Sequence, residues 1–335
     1  MSSANLQQWT GLLQWSLQYQ DGTQNSDVGA MDPERRAFLK NALENHITDP
    51  AEGFKALIAV LQTPRAEGGN DEATEEEFVE RKVEALEAIM GYVEQIDWAR
   101  DFVKLGGFKI VTDMTQDEHK DIRIAALEVF GACVQNNPPV QEAAMELKAL
   151  PILMDKLRSS GLSATEYAKV LFAVATFIRE CTPASIAFIK DEKGVALLLD
   201  IIKANEAVYG IRAQRKALFL MHYIITTVPA VRIALGGQLI AALNVTMLSQ
   251  DIDLRENSMK LLLIMYADAH VRERLEDEIL EQTRAALSKF SKTGDHFEDL
   301  DETALAMAAE LREAIDRRSP PSTEEPALLA NVAAN

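Results

Sequence analysis

The side chains that could perform chemistry are few and scattered along this chain. Its histidines are His46, His119, His222, His270 and His296. No two of them form the His-Glu-x-x-His pair that places two zinc ligands on one helix face, and none stands at ligand spacing from a cysteine. The spacing therefore predicts no metal site.

Motifs for nucleophilic or phosphate chemistry are equally scarce. We find no Gly-x-Gly-x-x-Gly after a strand, no phosphate-binding loop and no Gly-x-Ser-x-Gly turn. The acidic run from Glu75 to Glu77 is typical of a helix start, where negative charge interacts favourably with the helix dipole. We therefore expect no enzymatic activity, no catalytic residues and no cofactor.

The two cysteines, Cys133 and Cys181, lie among Ala, Val, Phe and Ile residues. Such surroundings are typical of a thiol that serves as a small buried hydrophobic group. Nothing in their spacing requires a disulfide, and unpaired thiols fit a reducing compartment. We therefore expect free thiols and a cytoplasmic protein.

Four apolar stretches repeat along the chain and indicate its architecture. They cover residues 124–134, 169–178, 216–228 and 260–266, and each places apolar residues at helical spacing. Their starts lie roughly 40–47 residues apart, the period of HEAT and armadillo arrays. One such helix cannot bury its apolar face alone, whereas stacked copies can. The pattern predicts an all-α protein, an armadillo/HEAT-like α-solenoid with a flexible N-terminal segment and helical caps.

Composition shifts suggest how this solenoid is divided. We expect a flexible segment over residues 1–30, an N-terminal helical cap over 31–93 and armadillo-like repeats over 94–290. A C-terminal capping helix region would follow over 291–317, and a disordered tail over 318–335. Polar caps at both ends would leave no core to complete, so we expect a monomer.

Charge and hydropathy restrict the partners. The net charge of −18 opposes binding to nucleic acid and to anionic membranes, because both carry negative charge themselves. No apolar run approaches the roughly 18 residues that a membrane-spanning helix needs. The start of the sequence shows no basic and apolar secretory signal, which again favours the cytoplasm. The surface of a solenoid is suited to another macromolecule.

Several short motifs, in order, carry a family resemblance from about residue 6 to residue 275. They include residues 12–17 (Leu-Leu-Gln-Trp-Ser-Leu), 96–102 (Ile-Asp-Trp-Ala-Arg-Asp-Phe), 134–138 (Val-Gln-Asn-Asn-Pro) and 214–218 (Gln-Arg-Lys-Ala-Leu). With them, the sequence resembles the Fes/HspBP family, armadillo-type nucleotide exchange factors for 70-kDa heat-shock chaperones. The resemblance implies binding to the chaperone's nucleotide-binding domain, release of ADP and then release of the client.

The resemblance also suggests contact residues on a concave surface formed by the third helix of each repeat. The chaperone-binding candidates are Ala99, Gln135, Asn136, Asn137, Arg179, Arg215, Lys216 and His222. Arg179 and Lys216 would pair with carboxylates of the partner. Four of the candidates have an alternative interpretation: Ala99 and His222 as packing residues, and the Asn136-Asn137 pair as the cap of a helix.

The apolar N-terminal residues have two possible roles. By resemblance, Leu12, Leu13, Trp15 and Leu17 form a release segment that imitates a client and enters the chaperone's peptide-binding groove. The alternative is that these residues pack on the solenoid itself.

A different class of function remains open at this point, a generic armadillo scaffold that binds an extended peptide or a partner protein. Peptide-binding armadillo arrays use ladders of Asn and Trp in successive repeats. Here only the Asn136-Asn137 pair fits such a ladder, and no Trp follows. This favours the exchange factor.

Overall fold

Helices joined by short turns make up the described part of the protein. The computed structural model describes residues 50–64, 72–293 and 302–316, and these ranges contain no strand. Within the same ranges, no helix is both long enough and apolar enough to cross a membrane. The prediction of an all-α fold is confirmed.

Two helices precede the repeats, α1 (Pro50–Gln62) and α2 (Glu72–Val93). Phe54 of α1 is fully buried, and its ring lies 5.0 Å from that of Phe102 in the first repeat. Lys82 of α2 donates a hydrogen bond to the carbonyl of Thr63 (2.9 Å), just after α1 ends. A cation at the C-terminal end of a helix binds carbonyl groups that have no partner within the helix.

Units of three main helices follow, and the third unit contains an additional short helix. The first repeat contains α3 (Ile96–Lys104), α4 (Gly107–Met114) and α5 (Lys120–Val134). The second contains α6 (Pro138–Glu146), α7 (Ala149–Arg158) and α8 (Ala164–Ile178). The third contains α9 (Thr182–Lys190), α10 (Gly194–Lys203), the short α11 (Glu206–Tyr209) and α12 (Ile211–Thr227).

The fourth and fifth units depart from this plan. In the fourth, α13 (Pro229–Thr246) is kinked at Gly236, whose φ of 6° and ψ of −99° are not helical, and α14 (Ile252–Ala267) follows. The kink makes α13 equivalent to the first two helices of a repeat. The fifth unit contains the short α15 (Ala269–Arg272), α16 (Asp277–Thr293) and α17 (Glu302–Asp316).

The last helix of each unit packs beside the last helix of the next. In order, α2, α5, α8, α12, α14 and α17 form this third-helix row. Phe108 and Phe130 stack inside the first repeat with ring centroids 5.2 Å apart, and Phe177 of the second repeat meets Phe130 edge-on at 5.9 Å. The core thus continues from one repeat into the next, as a solenoid requires.

The turn between the first and second helices explains the Gly106-Gly107 pair. Gly106 has a φ of 80°, which a glycine adopts without strain. A Cβ atom on Gly107 would lie 2.1 Å from the ring of Phe102, so a side chain has no room there. Gly194 is in the same situation beside Phe188, at 2.3 Å.

Polar side chains join neighbouring repeats along two lines. One line, the third-helix seam, runs through the N-terminal ends of the third helices. Arg123 Nε of α5 donates to Glu166 Oε1 of α8 (2.9 Å), and Arg215 Nε of α12 donates to Asp251 Oδ1 before α14 (2.9 Å).

The second line, the first-helix seam, runs through the first helices. Arg100 Nε of α3 donates to Asn137 Oδ1 at the start of α6 (3.2 Å). Arg232 Nε of α13 donates to Asp268 Oδ2 at the start of α15 (2.8 Å). Each bond links the body of one unit to the first residues of the next.

Candidate protein-binding site

Cations and aromatic rings gather where α8 and α12 lie side by side. Lys216 Nζ lies 5.1 Å from the centre of the Phe172 ring. The guanidinium of Arg179 lies 5.4 Å from the ring of Phe219 and 5.9 Å from that of Tyr223. We call this surface the basic-aromatic patch: Lys169, Phe172, Arg179, Arg212, Lys216, Phe219 and Tyr223.

Helical spacing places these side chains together. In α8, Lys169 and Phe172 are three residues apart, so they share one face of the helix. In α12, Arg212, Lys216 and Phe219 follow one another at intervals of four and three. A capping box between Ser163 and Glu166 fixes the start of α8. The opposite faces of both helices are buried in the core.

The patch concentrates positive charge in a strongly acidic chain. Burial lowers the pKa of Lys216 below its ordinary value. Burial also lowers the pKa of Lys169, and the positive charges of Lys216 and Arg212 lower it further. Lys169 has a partner as well, since it forms an ion pair with Glu128 of α5. Like charges held close together repel, so an acidic partner surface would be favoured here.

Aromatic exposure supports the same reading. Phe219 is 53% exposed although it is a large apolar side chain, and Tyr223 beside it is half-buried. Exposed rings that contact arginine are typical of the residues that contribute most to protein interfaces. The patch therefore combines the charge and the apolar surface that a protein partner could use.

The structure brings two of the predicted contact residues into this patch, Arg179 and Lys216. His222 lies in the same helix as Lys216 and is half-buried. Arg215 is committed to the third-helix seam, where it also reaches Asp253 (2.7 Å).

Two further candidates lie at the end of α5. Gln135 and Asn136 are exposed, and Gln135 ends α5 as Arg179 ends α8. Asn136 has a φ of 52°, which agrees with the alternative reading as a helix cap.

Ala99 and Asn137 need a correction of their expected placement. Ala99 lies in α3, the first helix of its repeat and not the third, and it is 1% exposed. Asn137 is also 1% exposed, and its Nδ2 donates to the carbonyl of Ile96 (3.0 Å). Both side chains are used inside the protein, because packing in one case and hydrogen bonding in the other removes them from the surface.

Part of the predicted site lies outside the described residues. This concerns the release segment with Leu12, Leu13, Trp15 and Leu17, and with it the predicted segments 1–30 and 318–335. The role of these residues stays a prediction. In the described ranges, no group of three or more His, Cys, Asp or Glu side chains could hold a metal ion.

Sequence reasoning missed most of the patch. Lys169, Phe172, Arg212, Phe219 and Tyr223 were not among the predicted contacts. The available signal was the face opposite the buried stripe, where cations and aromatic residues recur every three or four positions. Aromatic residues at helical spacing are more often core residues. Only the packing of α8 against α12 distinguishes a ring in the core from a ring on the exposed patch.

Among solved structures, the fold is similar to that of designed armadillo proteins. A crystal structure of computationally designed armadillo repeat proteins for modular peptide recognition superimposes with a TM-score of 0.54. It is 13% identical in sequence, and the match covers 77% of this chain and 98% of that one. At this level of identity, the likeness shows the fold alone, and it confirms the armadillo-like solenoid.

Sequence comparison points to a narrower group. The chain is 24% identical over 178 residues to the Hsp70 nucleotide exchange factor FES1 of Gibberella zeae, a match that covers 53% of this chain and 79% of the fungal protein. It is 27% identical over 186 residues to the Hsp70-binding protein 1 of Rattus norvegicus, covering 54% of this chain and 51% of the rat protein. The chain thus spans about half the length of that mammalian relative.

Two models of protein families match adjoining parts of the chain. The model described as nucleotide exchange factor Fes1 matches residues 9–102. The model described as the SIL1/FES1/HPBP1 C-terminal domain matches residues 98–227, which include α8, α12 and the whole basic-aromatic patch. The two matches follow one another without a gap, and together they cover more than half of the sequence. This chain belongs to the Fes/HspBP family.

Proposed function

We propose that this protein is a nucleotide exchange factor that binds the nucleotide-binding domain of a cytosolic 70-kDa heat-shock chaperone. It would promote the release of ADP and thereby the release of the client. The observation that carries the proposal is the basic-aromatic patch, which lies on helices within the family match. The relatives, an Hsp70 nucleotide exchange factor and an Hsp70-binding protein, support it.

Exchange of this kind needs no bond chemistry from the factor. A protein that binds the open, nucleotide-poor state of the chaperone more tightly than the closed state shifts the population towards the open state. The ratio of the two affinities limits the shift, and about 1.4 kcal/mol of difference corresponds to a tenfold change. ADP leaves faster because the open cleft holds it less firmly.

The patch would supply the affinity for the chaperone. Lys216 and Arg179 would pair with carboxylates on the chaperone surface, and Phe219 would add apolar contact between them. Charges at the rim of an interface mainly raise the association rate, whereas charges that become buried slow dissociation. Lys216 is already partly desolvated, so its pairing would act mainly on dissociation.

Three further features belong to the proposal. The protein acts as a monomer, since the apolar faces of the third-helix row are buried against one another. It works in the cytosol, which the two buried free thiols, Cys133 and Cys181, support. Its residues 12–17 occupy the chaperone's peptide-binding groove and help clients to leave.

A peptide-binding scaffold is less well supported. The Asn ladder of such arrays needs side chains that are free to bind a peptide backbone. Asn137 uses both ends of its amide inside the protein, on the Ile96 carbonyl and on Arg100. One of the two residues that fit the ladder, Asn137, is therefore used in packing between repeats.

The test is stopped-flow release of a fluorescent ADP analogue from a cytosolic 70-kDa chaperone. Wild-type protein should accelerate the release, and Lys216→Glu should reduce the acceleration at subsaturating concentration about tenfold or more, because it reverses a charge at the centre of the patch. Lys109→Glu is the matched control, since Lys109 lies on α4 and pairs with Asp113 (2.6 Å) away from the patch. No acceleration with any such chaperone would refute the proposal.

A further inference from the structure

The ring of Phe172 rests directly on the backbone of α5 at Gly131. A Cβ atom at position 131 would lie 2.4 Å from Cε1 of Phe172 and 2.8 Å from Cδ1. Glycine inside a helix costs about 1 kcal/mol relative to alanine. Gly131 is buried within α5. The close approach of Phe172 gives the glycine a physical reason.

Phe172 in turn supports the positive charges of the patch. Lys216 Nζ lies over the ring of Phe172, 5.1 Å from its centre, and Lys169 precedes Phe172 by one turn of α8. Lys169 pairs with Glu128, which precedes Gly131 by one turn of α5. The turns of α5 that carry Glu128 and Gly131 therefore determine how far the side chains of Lys169 and Phe172 extend from the third-helix row.

We propose that Gly131 is a positioning residue of the partner-binding site. Because Gly131 has no side chain, the ring of Phe172 can lie close to the backbone of α5. Lys216, which lies over that ring, then stays at a position where an acidic surface of the partner can contact it. The proposal rests on the proposed function for the identity of the partner. The geometry that it requires can be measured on the protein alone.

Gly131→Ala should move the patch while leaving the protein folded. Phe172 is only half-buried, so its ring can shift outward by about 1 Å to reach ordinary van der Waals contact with the new methyl group. Alanine also favours the helix, which offsets part of the strain in α5. The outward shift carries the ring towards Lys216.

Binding is measured by titration calorimetry with the nucleotide-binding domain of a 70-kDa chaperone. Gly131→Ala should weaken the affinity about tenfold, with an unchanged helical circular dichroism spectrum. Gly91→Ala is the matched control, because Gly91 is exposed inside α2 and a Cβ there meets nothing within 4 Å. The double variant Gly131→Ala/Phe172→Leu should bind no worse than Phe172→Leu alone, since the smaller side chain removes the clash.

Equal affinities of wild type and Gly131→Ala would overturn the proposal. It would also be overturned if the double variant lost as much binding free energy as the two single variants together. A second measurement needs no partner. Reductive methylation labels the lysine amines, and the methyl signals of Lys216 should show an upfield ring-current shift from Phe172. In Gly131→Ala this shift should change, whereas the signals of Lys109 on α4 should not.

The two measurements separate the two proposals. If the wild-type protein binds no 70-kDa chaperone, the proposed function fails, and the methyl signals still test the role of Gly131. If the Lys216 signal is identical in wild type and in folded Gly131→Ala, the positioning role fails whatever the protein binds.

Discussion

Asn137 should matter more for the stability of the repeat stack than for binding. Its amide joins the start of α6 to the first repeat, because Nδ2 donates to the carbonyl of Ile96 (3.0 Å) and Oδ1 accepts from Arg100 Nε (3.2 Å). Asn137→Ala removes both hydrogen bonds and opens a small polar gap at a position that is 1% exposed. The first-helix seam then loses its link between the first and second repeats.

The size of the effect follows from these two bonds. The neutral bond to the carbonyl is worth about 1 kcal/mol, and a bond to a charged donor is worth about 1.5–3 kcal/mol. Arg100 is partly exposed and also pairs with Asp97 (3.2 Å), so it can recover part of the loss from that carboxylate and from water. We expect Asn137→Ala to lower the free energy of unfolding by about 2 kcal/mol.

Urea denaturation followed by far-ultraviolet circular dichroism measures this loss. Hydrogen exchange of amides in α3 and α6 should show that protection falls first on the two sides of the broken seam. Asn136→Gly is the matched control: Asn136 is exposed with a φ of 52°, which glycine adopts freely, so the change should stay within about 0.5 kcal/mol.

Two results would contradict the structural role of Asn137. An unchanged urea midpoint for Asn137→Ala would show that the amide contributes nothing to the stack. Loss of chaperone affinity in a variant of full stability would restore Asn137 as a contact residue and refute the reading of a structural link.

Two further predictions concern pH. Burial raises the pKa of Glu166, but hydrogen bonds and the charge of Arg123 outweigh burial and hold that pKa below its usual value. Glu166→Gln should therefore lower the free energy of unfolding by about 2 kcal/mol at pH 7. Urea denaturation should show that this loss becomes smaller below about pH 4.5. Burial lowers the pKa of His119, but its hydrogen bonds to Asp117 and Glu75 outweigh burial and raise that pKa. His119→Gln should therefore lower the free energy of unfolding by about 1 kcal/mol at pH 6, and by less as the pH rises through the elevated pKa. A loss of stability that does not change between pH 6 and pH 9 would contradict the ion-paired histidine.

The architecture could be predicted because its signal is local. The apolar stripe of residues 169–178 and its equivalents mark third helices, and the structure gives α8 as Ala164–Ile178 and α12 as Ile211–Thr227. Within α13, the kink falls at Gly236, the first of two adjacent glycines. Periodicity and turn residues depend on near neighbours in sequence, so one chain is enough to read them.

The site could be predicted only in part. The family resemblance suggested Arg179 and Lys216, and the structure places both cations over aromatic rings of the patch, while their contact with a partner stays a prediction. Asn137 was misplaced on the surface because its hydrogen-bond partners lie about 40 residues away in the preceding repeat. The clash that explains Gly131 arises between two helices, and no local pattern reports such a distance. Contacts between repeats decide which polar residues remain available to a partner.

The two seams have a mechanical consequence. A single line of contacts would act as a hinge about which neighbouring units could rotate, whereas two separate lines oppose that rotation. Arg123 with Glu166 on one line and Arg100 with Asn137 on the other fasten the same pair of repeats at different points. The stack should therefore be torsionally stiff, so that when it meets a softer partner, most of the deformation falls on the partner.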